Sequence, residues 1–129
     1  MTRRPRFLEL DEVLEIHRDQ VERYGGHSGI RNVALLNSAV AMPKSGAVAY
    51  FHTDLFEMAA AYLFHIVKNH PFVDGNKRVG AVAALVFLDL NGIDMAIRDD
   101  DLFDIVMGVA AGTTPKSAVT EFQRRHRAS

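Results

Sequence analysis

The sequence predicts an all-α fold: a compact helical bundle around a central buried helix, with at most a small β element. Two observations carry this. Apolar residues recur at helical spacing, as in Leu55, Met58, Ala59, Tyr62, Leu63 and Ile66. The run Val79–Leu88 then has no polar side chain on any side, the mark of a helix buried all round. Only Ile93–Ile97 reads as a short strand or an extended link.

Taken in order, a first helix is expected from about Asp11 to Tyr24, with a partial apolar stripe of Val13, Ile16, Val21 and Tyr24 and a stop at Gly25-Gly26. A second spans about Asn32 to Met42 and ends at Pro43, whose ring and missing N–H oppose a helix interior. Ser45 and Gly46 then read as loop, and Ala47–Thr53 as an exposed stretch. A third helix starts at Asp54, with Thr53 or Asp54 as its cap. Extending its wheel at about 100° per residue places His70 on the apolar stripe, at the inner face of the helix end. The fourth helix begins near Asn76 and ends at Asn91-Gly92. A fifth, Asp101–Ala110, carries carboxylates in its first turn, where the helix dipole favours them. A sixth, about Pro115 to Arg125, has proline near its start.

Composition sets the bounds. With 129 residues and 48% hydrophobic content, one domain over residues 1–129 is expected. No apolar run follows the basic MTRRPRF, so no signal peptide is expected, and the longest uncharged apolar run, ten residues, is too short to cross a bilayer. Cysteine is absent, which excludes disulfides and thiolate metal sites; a cytoplasmic protein is the default. A net charge of −1 gives no bulk attraction to nucleic acid. The basic clusters Arg3, Arg4, Arg6 and Arg124, Arg125, Arg127 read as solvated ends.

Against this background HPFVDGNKR, from His70 to Arg78, stands out. It places Asn76, Lys77 and Arg78 in the first turn of the most buried helix. Unsatisfied N–H groups already make that end positive, so two cations there are disfavoured by about 0.3–1 kcal/mol each. An anion in the loop would resolve the conflict: backbone N–H groups, Lys77 and Arg78 would all address it, as in phosphate sites. Gly75 would let the backbone come close. Asp74 offers one hard oxygen, which with phosphate oxygens and waters is how Mg²⁺ is usually held. His70 can take a proton near neutral pH. Together these suggest transfer from a nucleotide triphosphate to a hydroxyl. A purely structural alternative pairs Asp74 with Arg78 and uses His70 to cap the third helix.

HPFVDGNKR resembles the signature of the Fic/Doc family, His-x-Phe-x-(Asp/Glu)-Gly-Asn-Gly-Arg. His70, Phe72, Asp74, Gly75, Asn76 and Arg78 agree, and Lys77 departs. Lysine at that place is similar to the death-on-curing (Doc) toxins. The likeness extends to RYGGHSGIRN (Arg23–Asn32), to DLFEMAAAYLFHIVKNH (Asp54–His70) and through ALVFLDLNGI (Ala84–Ile93).

The resemblance implies a Fic/Doc-type helical domain in which His70 activates a target hydroxyl. It implies that Asp74 holds Mg²⁺, and that Gly75, Asn76, Lys77 and Arg78 bind the phosphates of ATP or another nucleotide triphosphate. Lys77 and Arg78 would join His70 in catalysis. Lys68 matches an often basic position and is carried over as a nucleotide-binding residue, although a helix-end lysine is ordinarily solvated. Phe72 reads as an apolar pin. Ala47–Thr53 falls where the family has its target-docking flap, with Tyr50 and Phe51 within it. Lysine in place of glycine implies the Doc sense of nucleotide binding, with the γ-phosphate facing the target. It further implies a threonine of elongation factor Tu as target, translation arrest as outcome, and a small antitoxin that covers the site. The alternatives are a Fic-type AMP transferase and a non-catalytic nucleotide- or anion-binding module. Self-silencing Fic chains carry (Ser/Thr)-x-x-x-Glu-(Gly/Asn). The nearest match, SAVTEF from Ser117 to Phe122, fails at Phe122, which reads as a core contact, so inhibition is expected from another chain.

Overall fold

The computed structural model describes residues 4–49 and 52–128. Six helices follow one another: α1 Leu10–Tyr24, α2 Val33–Val48, α3 Leu55–Asn69, α4 Asn76–Leu90, α5 Asp99–Ala111 and α6 Lys116–Arg125. Among the described residues, β structure is limited to two isolated bridges, Ile30 with Phe72 and Met95 with Arg127, so Ile93–Ile97 is an extended link. None of these helices is long and apolar enough to cross a membrane.

Local chemistry explains most boundaries. Glu9 and Glu12 form a capping box at α1. Asn32 caps α2 by accepting from the Leu35 N–H at 2.9 Å. At α3 the cap is Asp54, which accepts from the Glu57 N–H at 2.9 Å, while the Thr53 hydroxyl donates to Glu57 instead. Gly112, at φ 81, closes α5 in the left-handed conformation that glycine adopts freely.

The sequence singles out α4 as the central helix, but the hub is α3, which touches α2, α4, α5 and α6. The two pack closely at Gly80 of α4, which lies against Leu63 and Val67 of α3. A Cβ on Gly80 would lie 2.8 Å from Val67 Cγ2 and 3.1 Å from the Leu63 carbonyl oxygen. This contact fixes how near the α4 N-terminus lies to the α3 C-terminus. Tyr62, Phe72 and Phe87 fill the centre, and the Tyr62 hydroxyl accepts from the Leu8 N–H at 2.7 Å, tying the N-terminal segment down.

Helix α2 corrects the expectation of a stop at Pro43. It runs on to Val48, with Pro43 inside it and buried. Proline removes one ladder bond and costs about 3 kcal/mol in a helix interior. Packing outweighs that here: the Pro43 carbonyl accepts from His52 Nδ1 at 3.2 Å, and Gly46 leaves room for that ring, since a Cβ would sit 2.1 Å from it. His52 is 5% exposed, so the segment expected to face water is anchored inward at its end. Tyr50 and Phe51 lie outside the described residues.

The anchor extends to α6. The Lys116 ammonium lies 3.2 Å from His52 Nε2 and 3.2 Å from His65 Nε2, near Glu57. Burial, then the Lys116 charge, then His52 pull His65 down from the ordinary 6.5 to about 4. The folded chain therefore keeps this ring neutral while the unfolded chain protonates it below pH 6.5. The corresponding stability is complete above pH 6.5 and is lost as pH falls toward 4, by at most about 1.4 kcal/mol per unit. We expect the thermal midpoint to drop across that window and His65→Gln to flatten the drop. A wild-type profile with no slope between pH 6.5 and 4 contradicts this.

Candidate active site

The loop between α3 and α4 is built in three moves. Helix α3 ends at Asn69, and His70 takes φ 50, ψ 54, the one left-handed non-glycine among the described residues. Phe72 then inserts into the core at 0% exposure and stacks on the buried His17 ring at 3.9 Å and 7°. Gly75 turns the chain at φ 81 and starts α4 without any side-chain cap. The backbone N–H groups of Asn76, Lys77 and Arg78, which a helix leaves unpaired in its first turn, therefore face a potential ligand.

The side chains divide into those that hold the loop and those that line it. Asn76 is 4% exposed, and both ends of its amide are engaged by Phe72: Oδ1 accepts from the Phe72 N–H at 2.9 Å and Nδ2 donates to the Phe72 carbonyl at 3.0 Å. What Asn76 offers a phosphate is thus its backbone N–H, while its side chain fixes the turn. Asp74 accepts from the Gly75 N–H at 3.0 Å and the His27 N–H at 3.3 Å, and its carbonyl oxygen lies 3.0 Å from His17 Nε2. The ion pair of Asp74 with Arg78, raised as the structural alternative, is absent among the described ion pairs. Arg78 instead lies over the Tyr24 ring, 4.7 Å from its centroid.

His70, Asp74, Gly75, Asn76, Lys77 and Arg78 all line one open cleft of about 600 Å³. This corrects the expected burial of His70: it is exposed, because the left-handed turn takes it off the α3 wheel. Its backbone N–H caps α3 by donating to the Ile66 carbonyl at 3.2 Å, which leaves the ring free in the cleft. Lys68 is not brought there. It is exposed, and its Nζ would lie 3.6 Å from a Cβ on Gly112, at the far end of α5 from the cleft. That places it beside the C-terminal end of α5, where the helix dipole is negative.

The opposite wall has no signature in the sequence. Leu102, Phe103 and Val106 of α5, with Ala81 and Val82 of α4 and Tyr24 of α1, make an apolar face beside the cationic turn, and Asp99 stands at its edge. Phe103 and Tyr24 are 63% and 61% exposed. An apolar wall next to convergent donors suits a ligand with a flat apolar part and a charged part. A second hollow of about 570 Å³, between residues 7–10 and α2, holds none of the predicted site residues.

Among the described residues no three metal-ligating side chains converge. A lone exposed Asp74 fits Mg²⁺ and not a self-contained cage: each oxygen accepts one N–H and has a further lone pair, and Mg²⁺ commonly takes a single carboxylate with phosphate oxygens and waters.

An imidazole, a hard carboxylate oxygen and an uncapped helix start in one cleft are the groups that phosphoryl or nucleotidyl transfer would use. Residues 7–88 match the family described as Fic/DOC. The chain is 31% identical to "Protein kinase doc" of Escherichia phage P1 over 120 residues, covering 93% of this chain and 94% of that protein. It is 42% identical to "Toxin Doc" of Mycolicibacterium smegmatis (strain ATCC 700084 / mc(2)155) over 80 residues, 60% of each chain. The chain belongs to the Fic/Doc family.

Proposed function

We propose that the chain is a Doc-type toxin that transfers the γ-phosphate of ATP, or of another nucleotide triphosphate, to a protein hydroxyl. The observation that carries this is the uncapped start of α4, with Lys77 and Arg78 beside it and the exposed His70 ring in the same cleft. Likeness to a kinase named Doc over nearly its full length supports the reaction class. A threonine of elongation factor Tu as acceptor, arrest of translation, inhibition by an antitoxin chain and a cytoplasmic setting complete the proposal.

In this reading the triphosphate lies along the α4 N-terminus, where backbone N–H groups, Lys77 and Arg78 hold its charge. Mg²⁺, held by Asp74 with phosphate oxygens, would neutralise phosphate charge. His70 accepts the proton of the target hydroxyl. The hydroxyl oxygen bonds to the γ-phosphorus as the bond from that phosphorus to the β–γ bridging oxygen breaks, and the nucleoside diphosphate leaves. The α5 wall gives the remainder of the nucleotide an apolar surface.

Elongation factor Tu pre-incubated with the purified chain and ATP should no longer support synthesis when moved to a fresh translation reaction. Equal loss after pre-incubation without nucleotide would overturn the reading. Asp74→Asn should weaken metal-dependent binding, since a neutral amide is a poor partner for Mg²⁺. Titration of free Mg²⁺ should recover its activity only at raised concentration. An unchanged Mg²⁺ dependence would leave Asp74 as a loop brace for Gly75 and His27 alone.

A further inference from the structure

We propose that Arg31, on the link between α1 and α2, is a positioning residue that sets the His70 imidazole for proton transfer; this rests on His70 being the base. His70 sits in a backbone conformation that L-residues rarely hold unless their surroundings fix it. Arg31 does so with one planar fork. Its Nε donates to the His70 carbonyl at 2.6 Å and its Nη2 to the Asn69 carbonyl at 2.9 Å. These are carbonyls at the α3 C-terminus, which lack helical partners and carry the negative end of the dipole, so a guanidinium suits them doubly.

The fork itself is anchored. The Arg31 and Asn32 N–H groups both donate to the Pro71 carbonyl, at 2.7 and 3.0 Å, and the Val73 N–H donates to the Gly29 carbonyl at 2.9 Å. Ile30 and Phe72 form a bridge between the same segments. The carbonyls of Asn69, His70 and Pro71 are therefore all held by residues 31–32, and the direction in which the His70 side chain leaves the backbone is fixed. No carboxylate pairs with Arg31 among the described residues. Arg31 is also exposed, so removing it opens no cavity in the core.

The test compares the wild-type chain with Arg31→Ala and Arg31→Lys, and with Arg18→Ala as a charge control remote from the cleft. A base displaced by about 1 Å can lose about 100-fold in rate. We expect Arg31→Ala to lower kcat by about 10- to 100-fold while KM for the nucleotide stays within about twofold. Arg31→Lys, which has no planar fork, should fall between, and Arg18→Ala should match wild type. The NMR signal of the His70 ring should be single and sharp in wild type and shifted and broadened in Arg31→Ala. Unchanged kcat and an unchanged His70 signal in Arg31→Ala would overturn the inference, as would activity lost only in proportion to folded protein. If wild type itself transfers no phosphoryl group, the functional reading fails, and the His70 signal alone then decides the role of Arg31.

Discussion

His70→Ala is expected to abolish group transfer while leaving the fold and nucleotide binding largely intact. The ring is exposed in the cleft, so its removal leaves no buried cavity, and the groups proposed to hold phosphate belong to Gly75–Arg78 on the other side of the turn. Losing a general base typically costs about 10²–10⁴ in rate. The left-handed backbone at position 70 adds a refinement. Alanine is strained there, whereas asparagine is among the residues that tolerate such φ values. His70→Asn should therefore be as inactive as His70→Ala and better folded. Expression in bacteria gives the readout: growth arrest by wild type and none by either variant. Arrest as strong as wild type from His70→Asn would mean that the imidazole is not the base.

Lys77→Gly should have the next largest effect and change the kind of reaction. Lys77 is exposed, lines the cleft and has no ion-pair partner among the described residues, so its charge is available to a ligand. It stands where the common signature of the family has glycine. Its side chain lines the cleft and adds a cation to it. We expect γ-phosphate transfer to fall steeply once both are removed, and some AMP transfer to appear as phosphates reach the helix start. Glycine also lowers helix propensity by about 1 kcal/mol in a helix interior. Lys77→Ala separates the two effects, since it removes the charge and keeps the backbone preference. Mass spectrometry of the modified target distinguishes the adducts. Full phosphate transfer by Lys77→Gly would show that this lysine does not set nucleotide orientation.

The same residues show what a sequence can and cannot reveal. Five of the six helices fall within about two residues of expectation, because their ends carry local chemistry such as Asp54, Gly75 and Gly112. The exception is α2, where Pro43 is a local stop signal that tertiary contacts with His52 override. His70 lines the cleft with the other motif residues but is exposed where a helical wheel puts it inside, because the wheel takes no account of the left-handed residue that ends the helix. Asn76 was placed correctly, yet its side chain serves Phe72, a pairing between residues four apart that spacing alone does not distinguish from a ligand contact. The α5 wall was invisible for a different reason: Leu102, Phe103 and Val106 read as an ordinary amphipathic stripe, and only the packing of α5 beside α4 turns them toward the cleft. Phe122, read as a core contact, is 7% exposed. Arg31, although inside the RYGGHSGIRN stretch, and His17 have no role legible from their neighbours in sequence and gain one only by meeting the loop in space.

The central claim is that the loop presents the γ-phosphate to a hydroxyl. The most direct measurement adds the purified chain to a bacterial translation extract with ATP labelled on either the α- or the γ-phosphate and follows label into protein. γ-Label is expected on a single protein band, elongation factor Tu, absent with His70→Asn and reduced with Lys77→Gly. α-Label on that band would make the chain an AMP transferase, and no label from either ATP in an active extract would leave a nucleotide-binding module in place of an enzyme.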